Sequence, residues 1–259
     1  MEQLLAKLTA FSYEIFGVFL PGLVLALFIC IWWTALGPCV PEWSMNSIPA
    51  LTTNTAGQMV NSLNLATGLG LGIPSLIASY FFGHFLVWIG RSGLADSNLE
   101  SKHVVWRALC FRIPKPEHSF DQKLQPLYEL VRTRFAAANV QLDWPQFFPV
   151  AKNYLQQKAG FSLIATYQNK YTLHRSLATA SALLFWGALL GIVAGLVSFC
   201  VGHATPYWLA LGGLLLMSAV LVWGFSDSYL LYWKHFGNAI ITETYAALYC
   251  PRNETLQSK

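Results

Sequence analysis

The sequence predicts an all-α membrane protein: four transmembrane helices in two hairpins, with a helical, water-facing insert between them. Three observations predict it. Of 259 residues, 11% are charged and 55% are hydrophobic, whereas a soluble domain carries about 25% charged residues to cover its surface. Residues 15–36, 65–90, 176–201 and 206–225 contain no Asp, Glu, Lys or Arg. Each is long enough to cross about 30 Å of hydrocarbon as a helix. Finally, the 16 basic residues are confined to Lys7, the segment 91–175, Lys234, Arg252 and Lys259. The two loops that would lie opposite, 37–64 and 202–205, hold none.

From the start of the chain, Leu4, Leu5, Leu8 and Phe11 recur at helical spacing, which predicts a short amphipathic helix lying on a membrane surface. The run 15–36 exceeds the roughly 7–15 residues of a cleavable signal and is followed by three more, so it reads as a first span. Pro21-Gly22 is expected to kink it, and Trp32 and Trp33 stand where an interfacial aromatic belt would lie. The second span, 65–90, has His84 as its one ionisable residue. Residues 1–90 thus form the first hairpin, 91–175 the insert, 176–233 the second hairpin, and 234–259 a C-terminal helix and tail. By the positive-inside rule both termini and the insert are cytosolic.

The insert reads as helical. Leu124, Leu127, Val131 and Phe135 fit one face, with Arg132 and Arg134 turned away. Asp143-Trp144-Pro145 has the form of a helix start, Gly160 of a stop, and residues 163–175 are expected to run directly into the third span. Twelve basic residues against Asp96, Glu100, Glu117, Asp121, Glu129 and Asp143 leave this segment positive. Anionic lipid headgroups account for such a surplus, at roughly 1 kcal/mol per basic residue near the surface. A pocket for an anionic ligand, built from Arg107, Arg112, Arg132 or Arg134, is the sharper alternative.

Small residues mark expected helix contacts. Gly68, Gly72, Ser79 and Gly83 share a face of the second span, and Gly187, Gly191 and Gly195 form a double GxxxG in the third. Such stripes let another helix approach closely, within the subunit or in a homo-oligomer. An intramembrane histidine is a candidate functional group, but a neutral, hydrogen-bonded His84 is the commoner outcome. Cys39 and Cys200 both fall on the far side, and a disulfide between them is an open alternative to two free thiols.

Several chemistries lack their signature. Gly68, Gly70 and Gly72 are followed by no GK[ST], so no phosphate loop is present. Ser226 lies in Gly-Phe-Ser-Asp-Ser, which lacks the second glycine of a nucleophile elbow. No Cys/His spacing suits a metal, and no motif supports sequence-specific nucleic-acid binding. The expectation is a non-enzymatic protein with no cofactor and no metal. Its expected partners are membrane lipids, further copies of itself, and a cytosolic protein or an anionic ligand. A passive anchor or scaffold and a small channel or transporter are the alternatives.

Three stretches carry a resemblance. Ser12-Tyr13-Glu14-Ile15-Phe16-Gly17 leading into Leu20-Pro21-Gly22, Ala78-Ser79-Tyr80-Phe81-Phe82-Gly83, and Asn169-Lys170-Tyr171-Thr172-Leu173-His174-Arg175 resemble patches of bacterial four-span inner-membrane proteins. Those proteins carry a cytosolic insert between two hairpins, and some belong to anti-phage operons. The resemblance implies a membrane sensor or effector in antiviral defence, with Asn169, Tyr171 and Arg175 coupling the insert to the third span.

Overall fold

The computed structural model describes residues 11, 13–36, 69–92, 108–111, 120–135, 142–158, 163–201 and 206–249. Among these, regular structure is helical throughout, with no strand. Helix α1 covers Glu14–Leu36 and opens with a π-helical turn, Glu14–Phe19. Helix α2 covers Leu69–Ser92. A 3₁₀ turn, Gln122–Leu124, leads into α3, Gln125–Phe135, and α4 covers Trp144–Lys158. Two long helices follow, α5 over Leu163–Cys200 and α6 over Trp208–Tyr249.

Among the described residues three helices, α1, α5 and α6, are long and apolar enough to cross a membrane. The sequence predicts a fourth at 65–90, where the described part of α2 carries an apolar stretch over Ser75–Gly90. As expected, residues 163–175 continue without a break into the apolar stretch of α5, and α6 likewise continues past Phe225.

The chain forms two compact units. The first, an apolar unit, comprises Glu14–Pro114 and Leu173–Asp227. Its tightest contact joins α1 and α2. A Cβ on Gly22 would lie 1.8 Å from the Ser79 carbonyl oxygen, and one on Gly83 would lie 2.0 Å from that of Val18. Only hydrogen fits there, so the two backbones touch. Ser79 is fully buried and turns its hydroxyl back to the Ser75 carbonyl at 2.8 Å, leaving a smooth apolar surface.

Proline explains the first turn of α1. Pro21 has no N–H to offer the Gly17 carbonyl four residues back. The backbone answers with the π-turn, and the Ser176 hydroxyl of α5 donates to that same carbonyl at 3.3 Å. On α5 itself, Ala178, Ala180, Ala182 and Ala188 are fully buried. Thr179 and Ser181 return their hydroxyls to the Arg175 and Leu177 carbonyls. Small, self-satisfied side chains are what close helix packing requires in hydrocarbon.

The second, aromatic unit comprises Met1–Tyr13, Lys115–Thr172 and Ser228–Lys259. Its core is built by α3, α4 and the parts of α5 and α6 that fall in this unit, around the buried Tyr128, Val131, Phe147, Leu155, Ile164 and Phe236. The face expected on α3 is the one that packs: Val131 is fully buried, with Leu124, Leu127 and Phe135 against the same cluster. The start of α4 is also where the sequence puts it. Gln146 and Phe147 donate their N–H groups to the Asp143 carbonyl, and the Gln146 side chain accepts from the Asp143 N–H at 3.3 Å. That is the returning half of a capping box.

Candidate functional site

The glycine face of α5 is filled from within the chain. The Trp32 indole of α1 lies across it and donates to the Gly187 carbonyl at 2.8 Å. A Cβ on Gly191 would meet Trp32 Nε1 at 3.0 Å and Leu211 at 3.2 Å, and one on Gly195 would meet Pro206 at 2.4 Å. Gly187, Gly191 and Gly195 therefore serve packing of α5 against α1 and the start of α6. The Tyr207 N–H closes the same corner by donating to the Ala35 carbonyl at 3.1 Å. Beside Trp32 an apolar cavity of about 240 Å³ is bounded by Leu25, Phe28, Phe82, Phe85 and Leu183.

A second feature of the apolar unit comes from the insert. Ala108 and Leu109 are buried against Ala182 of α5 and Val222 of α6, with Phe111 and Phe185 alongside. The segment turns tightly: the Phe111 N–H donates to the Ala108 carbonyl at 3.0 Å, and Phe111 has φ 58°, a left-handed conformation uncommon for a bulky residue. The Leu109 carbonyl accepts the Trp186 indole N–H at 2.8 Å. A turn packed on apolar helices has no water to satisfy its backbone, and Trp186 supplies the missing donor. This docking places Ala108, Leu109 and Phe111 of the basic insert on the apolar helices.

In the aromatic unit, charged groups sit over rings. The Arg132 guanidinium lies 5.5 Å from the Tyr128 ring centre, and that of Arg134 lies 5.8 Å from Tyr249. Lys170 lies between Tyr167 and Tyr232, at 5.8 and 5.4 Å. Arg132 and Arg134 are thus held by separate rings, while Arg107 and Arg112 lie outside the described residues. Partly buried Lys152 is held below the usual lysine range by desolvation.

One polar lock joins the first turn of this unit to α6. Lys234 forms an ion pair with Asp121, Asn238 donates to Asp121 at 3.0 Å, and the Asp121 N–H donates back to Asn238 at 2.8 Å. The hydrogen bonds from Lys234 and then Asn238 hold the Asp121 carboxyl below the usual carboxylate range. A lowered folded-state value means that the lock's stabilisation is fully present above the ordinary carboxyl pKa of about 3.9 and fades as pH falls through the folded value. Acid titration of ring-environment circular dichroism is expected to show this loss below the ordinary carboxylate range. Asp121→Asn should remove that component; an unchanged acid transition would count against the lock.

Of the other expected residues, Tyr171 packs its ring against Trp233 and Phe236 at 5.1 and 5.2 Å in the aromatic unit. Asn169 is partly buried in the same unit. Arg175 lies in the apolar unit, where a Cβ on Gly90 would meet its Nε at 3.4 Å. Ser79 and Gly83 face α1, and His84 is exposed on α2. Gly72 falls near the start of α2, while Gly68 and Cys39 lie outside the described residues. Cys200 is exposed at the end of α5. No group of three His, Cys, Asp or Glu side chains suited to a metal occurs among the described residues.

Sequence reasoning passed over Trp32 and Trp186 as packing donors. Their one available signal was the Trp content itself, ten residues in a chain of 259. Comparison with protein-family models, curated proteins and solved structures found no match.

Proposed function

We propose that this chain is a non-enzymatic integral membrane protein with four crossings, whose basic insert acts on its membrane helices. The observation that carries the reading is the Ala108–Phe111 turn packed on Ala182 and Val222 and held by Trp186. An insert that served only to display positive charge would not need a hydrogen-bonded seat on α5 and α6. The helix lengths support it too. At 1.5 Å per residue α5 and α6 reach about 57 and 63 Å, well beyond the 30 Å or so of a hydrocarbon core. Each therefore has turns to spare for water, where Lys170 and Lys234 lie.

The charge distribution supports an orientation with both termini and the insert cytosolic. The insert is then placed to meet a cytosolic partner or an anionic ligand, and the helices to act on the bilayer. The resemblance to inner-membrane proteins of anti-phage operons supplies the setting in which such an effector works.

The test is induction in a bacterial host with membrane potential recorded, comparing the chain with Trp186→Phe at matched membrane levels. Phenylalanine keeps the ring but leaves the Leu109 carbonyl without its donor, at a cost of about 1–3 kcal/mol. A potential that falls on induction and responds differently in the variant supports an effector governed by the docked turn. Unchanged potential in both, with a cytosolic protein co-purifying through the insert, would favour a passive anchor instead.

A further inference from the structure

The glycine face of α5 is occupied by Trp32, Leu211 and Pro206, whereas α2 presents an open face. Ile77, Phe81 and Trp88 are 51%, 68% and 63% exposed, and His84 is exposed between them. These positions follow one another at steps of four, three and four residues. That is the 3.5-residue spacing that keeps a single seam turned toward a parallel partner helix.

Hydrocarbon covers the three apolar side chains, but it has nothing to offer an imidazole. His84 meets the Tyr80 ring edge-on at 4.5 Å, and the Tyr80 hydroxyl is turned to Glu14 at 3.3 Å. The imidazole has no hydrogen bond to another described residue. A polar side chain left unpaired in lipid is costly, and pairing it across helices is a driving force for association. Neutral imidazole carries one donor and one acceptor, so it is complementary to itself. Copies of one membrane protein share an orientation, and a two-fold axis then sets each seam residue opposite its own counterpart.

We infer that the outer face of α2 binds a second copy of this chain, as a parallel helix pair with the two His84 side chains hydrogen-bonded across the axis. The inference rests on α2 crossing the membrane, as proposed above.

Cross-linking of the full-length chain in isolated membranes tests it, with the five native cysteines replaced. A short bis-maleimide should join copies carrying Ile77→Cys, Phe81→Cys or Trp88→Cys, and not copies carrying Val197→Cys or Val220→Cys on the exposed faces of α5 and α6. No dimer at the α2 positions, or equal dimer at the controls, would overturn the contact. In two-tag co-purification, His84→Leu should lower recovery of the second copy about tenfold, while His84→Gln, whose amide also donates and accepts, should retain it. Equal recovery with His84→Leu would overturn the role of the imidazole, and the leucine suits lipid, so misfolding does not confuse the result. Membrane-impermeant labelling of Asn54→Cys and Ser97→Cys checks the crossing separately. Reaction from opposite sides upholds it, whereas reaction from one side removes the crossing and with it the parallel geometry.

Discussion

Gly22→Leu is expected to prevent α1 and α2 from closing and to abolish recovery of folded protein. The reason lies in which atoms a side chain would strike. At Gly22 the nearest obstacles are the Ser79 carbonyl oxygen at 1.8 Å, the Gly83 nitrogen at 2.6 Å and the Ser79 carbonyl carbon at 2.8 Å. All are backbone, so no rotamer change relieves the clash and the helices must part. Overpacking in a close-packed interior costs about 1–3 kcal/mol even where side chains can yield, and here they cannot. Separation would also withdraw the surface that buries Val18, Ser79 and Leu86. A glycine control makes the effect specific. Nothing lies within 4 Å of a Cβ built on Gly213 of α6, so Gly213→Ala should stabilise the helix by up to about 1 kcal/mol. Thermal loss of the monodisperse peak in detergent chromatography measures both. A Gly22→Leu protein with unchanged thermal stability would refute the backbone contact.

The second large effect belongs to Phe147 of α4, which is fully buried at the centre of the aromatic unit. Its ring meets Tyr128 at 5.2 Å, Trp144 at 5.8 Å and Phe135 at 6.0 Å, the first and last of these edge-on. Truncation to alanine removes about 3–5 kcal/mol through lost burial and the cavity left behind, on the scale of a small domain's whole stability of 5–15 kcal/mol. The expected result is selective. With the insert cytosolic, as proposed, Phe147→Ala in inside-out membrane vesicles should expose Arg132, Arg134 and Lys152 to trypsin while the apolar segments stay protected. Resistance equal to that of the unaltered chain would show that the cluster is not what holds the unit together.

Much of this architecture is legible in the residues, for identifiable reasons. Scarcity of charge and long uncharged runs report directly on the solvent, so the apolar helices are visible before any contact is known. Asp143-Trp144-Pro145 announces a helix start because capping is local chemistry. Contacts between distant residues are a different matter. A GxxxG pattern states that something comes close to Gly187 and Gly191, yet Trp32 stands 155 residues from Gly187 and its position next to Trp33 suggests an interface residue. In the Asp121–Lys234–Asn238 lock, the two charges stand 113 residues apart in the sequence and nothing local pairs them. Ala108–Phe111 is hidden differently: Arg107 and Arg112 bracket it, and a short apolar turn loses its signal inside a basic segment.

The contact of Gly22 and Gly83 with facing backbone also bears on how the protein is made. It joins neighbouring helices and asks nothing of the chain beyond Ser92, so this pair can close while the ribosome is still translating the insert. Ser176 and Gly187, which accept or supply the bonds to Gly17 and Trp32, arrive only with α5. Until then Trp32 has an indole N–H with no such carbonyl to meet, and Gly17 lacks the Ser176 hydroxyl. The first pair thus presents one donor and one acceptor that α5 then meets.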